Sequence, residues 1–469
     1  MFKKLFELSA LERIHSDVAR FLGKYTINDP TTPNLVENFT FPKSGLLKYA
    51  VKGFNPVPKN EDETRAANCH ISVGNCIEKV QSHLKTPVKN WAATNLLQVI
   101  PAAGSDLNAY YDRASLRFFY YRHSGKNYYF GDSQDIVTHE LGHAILDSMR
   151  PDFWSVQSLE IWSFHEAFSD IVAMFNMMNY EMALVAALKE NNGDLRSSNI
   201  ISRLAEEIGI LISKISKDRT CLPNSLRDPA IEKFKYVNPA GLPKDAPNNQ
   251  LAAECHSFGR VFSAAWYEIF VRIYEQQMSL KVDQLTAAKT ARDVSFSIMA
   301  QAIPNTGRVV DYYSNLAMAM VAVASSKGAT YSKIVKDVFV EWGLIKQNEI
   351  KALSNLSWKD VARSLKKNDS VFKNSRITTV CVKGQKAIKF SELPLVSGLS
   401  VSNEDFEIDI PSDEYYEFDN KGRLVAEIKP DENQIKESTA ACLMGISDSI
   451  GKGKMWYVEN NKLQRRFLS

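Results

Sequence analysis

The sequence predicts an α+β protein in three parts: a mixed, β-rich N-terminal lobe ending on an H-E-x-x-H helix, an all-helical second lobe and a small β-rich C-terminal appendage. Three observations carry this. Short β-branched and aromatic runs, Trp91–Pro101, Ala109–Tyr121 and Tyr128–Phe130, precede the helix that begins near Asp135. Long segments of helical periodicity then fill residues 181–350, and after about Asp369 the pattern returns to short alternating runs separated by turn residues. The boundaries expected are residues 1–95, 96–180, 181–350 and 360–469. The 469 residues suffice for two to four domains.

Taken in order, Met1–Tyr25 fits an amphipathic helix through Phe2, Leu5, Phe6, Leu11, Ile14, Val18, Phe21 and Leu22. Glu7, Glu12 and Arg13 interrupt any secretory apolar core, so a cytoplasmic location is expected, with export by a non-classical route as the alternative. Residues 26–66 read as loops and a few strands, and Asn68–Leu84 as a helix. Beyond the H-E-x-x-H helix, Met182–Leu188, Ile200–Ile215, Ser257–Gln276, Val282–Ile303, Val310–Ser326 and Tyr331–Gly343 are helical. Between them, Arg219–Gln250 carries Pro223, Pro229, Pro239, Pro243 and Pro247, a length that marks a functional segment. In the last part, Thr378–Val382, Ala387–Phe390, Phe406–Ile410 and Tyr416–Phe418 read as strands, and Asn420-Lys421-Gly422 as a hairpin turn. The acids of Glu404–Asp419 read as a solvated strand face, an acidic cation site being the sharper alternative.

Composition excludes several classes. With 45% apolar and 24% charged residues and a net charge of +3, no nucleic acid or acidic polymer is implied as partner. No apolar run approaches the roughly 20 residues of a membrane span. The six cysteines are scattered without a C-x-x-C pair, which suggests reduced thiols; Cys69-His70 with Cys76 lacks a fourth ligand at zinc spacing.

The chemistry concentrates in Thr138-His139-Glu140-Leu141-Gly142-His143-Ala144, with Asp132 or Ser133 as cap and Pro151 as stop. Residues four apart share a helix face, so His139 and His143 can aim at one zinc ion, with Glu140 beside it as base for a water. Alone, the motif also fits an amphipathic helix with two ordinary histidines. A third ligand is available in His165-Glu166-Ala167-Phe168-Ser169-Asp170, because Glu166 and Asp170 are four apart: one can ligate while the other supports a ligand histidine. Glu166 is favoured over its neighbour His165, which points away. A histidine six residues after His143 is excluded, since Met149 stands there.

These segments resemble the gluzincin metallopeptidases, specifically thermolysin-like enzymes, whose second motif reads N-E-A-x-S-D. Asn108-Ala109-Tyr110-Tyr111 is similar to the family's substrate-pairing edge strand. Leu226-Arg227-Asp228-Pro229 resembles its L-R-x-x-x-D-P segment without the spacer. Glu254-Cys255-His256-Ser257-Phe258-Gly259-Arg260-Val261 resembles the segment of its second catalytic histidine, at a spacing closer to fungalysin. The resemblance covers roughly residues 95–346. It implies one zinc ion per chain on His139, His143 and Glu166, and hydrolysis of a peptide or protein substrate, as an endopeptidase. Glu140 then serves as base, His256 stabilises the oxyanion, and Arg227, Asn108 and Ala109 hold substrate. Asp170 fixes a ligand histidine, His139 by analogy. The chain departs from the family in three places. Phe153 and Trp154 stand near the expected oxyanion tyrosine, Leu251 stands for the aspartate that orients the second histidine although Glu254 is close, and Met177 stands for a calcium-binding glutamate although Asp135 is kept. Calcium is therefore not expected. The alternative reading is a degenerate gluzincin that acts as a zinc-containing binding or scaffold protein.

Overall fold

The computed structural model describes residues 23–29, 32–39, 47–216, 221–345, 370–373, 377–393, 406–428, 432–446, 456–459 and 462–465. Most of the helix expected over Met1–Tyr25 lies outside them, and its last residues belong instead to strand β1, Gly23–Asp29. The fold is α+β, and the chain divides into two compact units: Met1–Ser148 with Ser169–Asp228, and Met149–Phe168 with Pro229–Ser469.

In the first unit, β1 pairs antiparallel with β2 (Thr32–Phe39). A four-stranded sheet follows, in the order β3 (Tyr49–Val51), β4 (Leu97–Ile100), β6 (Ser115–Phe118), β5 (Ala109–Tyr111). β5 is antiparallel to β6 and lies on the edge. The single strand expected over Ala109–Tyr121 is thus three, because the chain reverses after β5. Asp112 Oδ1 accepts from the N–H groups of Ala114 and Ser115, and Arg113 takes φ 69°, an Asx-type turn that strand propensity alone conceals. Next, β7 (Tyr120–His123) and β8 (Lys126–Tyr129) form a hairpin over Ser124 and Gly125, both at positive φ, as a two-residue turn of the right-handed twist requires.

Helix α1, Glu61–His83, starts about two turns before the expected Asn68. Asn60 accepts from the Glu63 N–H, and Glu61, Asp62 and Glu63 favour the positive end of the helix. α2 (Gln134–Met149) carries the H-E-x-x-H motif, and α3 (Leu159–Asn179) carries Glu166 and Asp170, its residues up to Phe168 grouping with the second unit and those from Ser169 with the first. α4 (Glu181–Glu190) and α5 (Glu206–Ile215) complete the unit. α5 begins later than the expected Ile200, since Asn199 Oδ1 takes the Ile201 and Ser202 N–H groups and Ala205 is left-handed.

The second unit holds α6 (Cys255–Ser279), α7 (Gln284–Ala302), α8 (Tyr312–Lys327) and α9 (Ala329–Glu341). Phe164, Phe262 and Tyr312 pack edge-on or tilted among them, and Phe258 stacks on Tyr313. Described residues of 221–250 form an extended strap with one 3-10 turn at Pro239–Gly241. Arg260 ties it down by meeting Glu232, the Gln250 carbonyl and the face of Phe234.

C-terminal strands form two sheets. β9 (Ser370–Lys373), β10 (Ile377–Val382), β13 (Glu414–Asp419) and β14 (Leu424–Ile428) make one; β11 (Gln385–Lys389), β12 (Glu407–Pro411), β15 (Trp456–Glu459) and β16 (Lys462–Arg465) make the other. An unexpected helix, α10 (Glu432–Ile446), packs Ile435, Ala441 and Leu443 with Ile388, Ile408 and Ile410, in a core that also takes Leu159 and Trp162. The hairpin at Asn420-Lys421-Gly422 forms as expected, with Gly422 at φ 76°. The solvated acidic face forms only in part: Glu407 and Asp409 stay partly exposed opposite buried Ile408 and Ile410, but Asp413 and Glu417 do not. Glu417 is buried and accepts from Tyr415 Oη, and Asp413, fully buried, collects the Arg308 and Gly384 N–H groups and Lys383 Nζ. Buried carboxylates on a strand survive when such donors surround them.

Candidate metal centre

α2 and the second half of α3 meet across a glycine. A Cβ on Gly142 would stand 2.7 Å from Ser169 Cα, so no other residue lets the two helices approach this closely. At that crossing Asp170, 2% exposed, lies 3.0 Å from His139 Nδ1 and 2.7 Å from Arg227 Nη2. Burial opposes ionisation of Asp170, but the Arg227 charge and the His139 hydrogen bond overcome it and hold the carboxyl below its usual range. A carboxylate on Nδ1 favours the His139 tautomer whose Nε2 could ligate an ion. The His139 and His143 rings stand 5.0 Å apart and nearly perpendicular, as expected of imidazoles one turn apart that face a shared point.

α3 is one continuous helix, so Glu166 sits one turn ahead of Asp170 on the same face. Two imidazoles and one carboxylate are the donor set of a catalytic zinc, which keeps a fourth position open. Zinc therefore fits these residues. Glu140 is buried on α2 between the two histidines. His165, the rival ligand, is buried instead between the edges of Phe153 and Trp154.

Glu166 also belongs to the second unit, where α6 starts beside it. A Cβ on Gly259 would come within 2.9 Å of the Ser163 carbonyl oxygen and 3.0 Å of Glu166 Cβ, so this glycine too is needed for a close helix approach. His256, 59% exposed at its side chain, points Nε2 at Glu166 Oε2, 3.6 Å away. Its Nδ1 bonds to Glu254, which also caps α6 by accepting from the His256 and Ser257 N–H groups. Glu254 therefore orients His256 from a position other than Leu251. Burial works against the Glu254 charge, but His256 and the two N–H groups outweigh it and bring the carboxyl down to about 2. The negative charge of Glu166, first among several causes, raises His256 well above the ordinary imidazole value. Burial pushes the neighbouring Cys255 thiol up to about 11.

No model of a known protein family matches the chain, and no curated protein matches it significantly.

Other expected residues fall as follows. Asn108 and Ala109 sit at the start of the edge strand β5, partly exposed. This strand is fastened to the zinc-motif helix by Asp147, fully buried, which accepts from Tyr111 Oη at 2.9 Å and Arg113 Nε at 2.8 Å. Sequence reading missed Asp147; its signal was an acid one turn after His143 on an otherwise apolar helix end. Arg227 is buried and engaged by Asp170. Trp154, near the missing tyrosine, packs on His165. Asp135 gives its oxygens to the Ser133 hydroxyl and to the Ile136 and Ala205 N–H groups, while Asp132 pairs with Arg65 instead of capping α2. All six cysteines are free thiols. Among the described residues, no single helix is long and apolar enough to cross a membrane.

Proposed function

We propose that the chain is a zinc-dependent endopeptidase with chemistry similar to that of thermolysin-like gluzincins. The observation that carries this is the pairing of His139 and His143 one turn apart on α2, with Asp170 on the far nitrogen of His139 and Glu166 one turn ahead of Asp170 on the same face of α3. Those three residues would hold one zinc ion. When bound, zinc polarises a carbonyl and lowers the pKa of a coordinated water to about 7. Glu140 takes the proton of the attacking water and returns it to the leaving amine. His256, held through Nδ1 by Glu254, donates a hydrogen bond from Nε2 to the carbonyl oxygen as it gains charge. Asp170, itself held by Arg227, keeps His139 in the ligating tautomer; Arg227 thus acts on the site through Asp170 in addition to any substrate contact. β5 offers its outer edge, at Asn108 and Ala109, to an extended peptide as an added strand.

The test is a peptide-library digest with mass spectrometry of cut sites, run on the parent and on Glu140→Gln. The amide is nearly isosteric but cannot accept the proton, so cleavage is expected to fall ~10²–10⁴-fold while zinc is retained. Equal cleavage by the two proteins removes Glu140 as base. Absence of cleavage by the zinc-loaded parent favours the scaffold reading.

A further inference from the structure

Cys255 takes no part in the proposed hydrolysis, yet it sits at the first position of α6, beside His256 and against Glu166. Its Sγ lies 3.2 Å from Glu254 Oε1 and 3.6 Å from His256 Nδ1. One ligand atom each from Glu166, Cys255 and His256 lies within 4.8 Å of the others. A tetrahedral ion with ligand bonds of about 2.0–2.3 Å separates its ligand atoms by roughly 3.3–3.7 Å. His256 Nε2 and Glu166 Oε2, 3.6 Å apart, already have that spacing. His256 is largely exposed and Cys255 partly so, which gives an ion a way in from solvent.

We propose that Cys255, His256 and Glu166 form a second metal site, selective for a thiophilic divalent ion such as zinc or cadmium. A thiolate, an imidazole and a single carboxylate suit such ions and disfavour calcium and magnesium, which demand oxygen-rich shells. On binding, the Cys255 thiol gives its proton to solvent and its sulfur bonds the ion; no redox change occurs. The set shares Glu166 with the proposed catalytic ion, and in that respect it rests on the zinc reading. An ion held here occupies His256, so metal beyond one equivalent slows hydrolysis.

The experiment is a cadmium titration of the full chain, followed by the ultraviolet thiolate-to-cadmium charge-transfer band. The parent is expected to develop a saturable band that Cys255→Ser loses and Cys69→Ser keeps. His256→Ala weakens cadmium binding, which decides the matter if Cys255→Ser fails to fold by its thermal melt. His143→Ala, which dismantles the proposed catalytic set, should still give the band. Loss of zinc binding or peptidase activity thus leaves this readout intact, so the two proposals fail separately. A folded parent without the band, a band that survives Cys255→Ser, or unchanged cadmium affinity in His256→Ala overturns the second site.

Discussion

Asp170→Asn is the substitution that separates a structural from a positioning role at the crossing of α2 and α3. Asp170 is 2% exposed and pairs with the Arg227 guanidinium, itself 7% exposed. Removing one member of a buried ion pair costs about 3–5 kcal/mol, because the remaining charge stays desolvated. Against a typical total of roughly 5–15 kcal/mol, this is a large part of the stability. The same carboxylate fixes the Nδ1 side of His139, and loss of such a partner weakens metal binding ~10–100-fold, or about 1.4–2.8 kcal/mol. The two effects are read separately. Denaturant unfolding of zinc-free protein gives the first, and zinc competition against a chelator on folded protein gives the second. Arg227→Met makes a useful comparison: it also breaks the pair but leaves the Asp170–His139 bond, so its affinity loss should be the smaller. If Asp170→Asn binds zinc as tightly as the parent, Asp170 does not position His139.

Three further outcomes are expected. Gly142→Ala should destabilise by about 1–3 kcal/mol through overpacking against Ser169, opposite in sign to the roughly 1 kcal/mol gain of the same change in an exposed helix; denaturant melts decide. Thermal melts with millimolar calcium and with a calcium-selective chelator should coincide, because Asp135 is occupied by protein donors and Met177 is buried and apolar; a filled native-state site at ~100 Kd would instead add ~2.7 kcal/mol. Burial raises the Glu160 carboxyl to about 8 from an ordinary 4.5, so the stability its acid form contributes is complete below pH 4.5 and lost as pH rises to 8. Glu160→Gln keeps a carbonyl acceptor for the Tyr313 N–H and presents an amide N–H that can donate to Tyr236 Oη, as the protonated acid can, and the stability of the parent relative to this variant should therefore fall across that window and stay flat outside it.

Long helices were legible in the sequence because apolar periodicity is redundant over several turns, as in α6 to α9. Their ends were not, where a single polar residue decides: Asn60 starts α1 and Asn199 delays α5. Asp112 likewise turns the chain between β5 and β6 within what reads as one strand. Helix α10 was missed because its apolar face is short and supported by contacts with β11 and β12, distant in sequence. Within the candidate site, spacing was enough to pair His139 with His143 and Glu166 with Asp170, since each helix places residues four apart on one face. Arg227 pairing with Asp170, Glu254 orienting His256 and Asp147 anchoring β5 depend on tertiary approach, which spacing does not encode. The acids of β13 misled for a related reason: alternation reports a strand's two faces but not whether the second is covered.

The account rests on zinc at His139, His143 and Glu166, and elemental analysis of the purified full chain tests that most directly. The parent should carry about one tightly held zinc per chain, and His143→Ala combined with Cys255→Ser, which also removes the second proposed site, should carry none when checked for folding. A parent that excludes zinc, or a double variant that keeps its full complement, contradicts it.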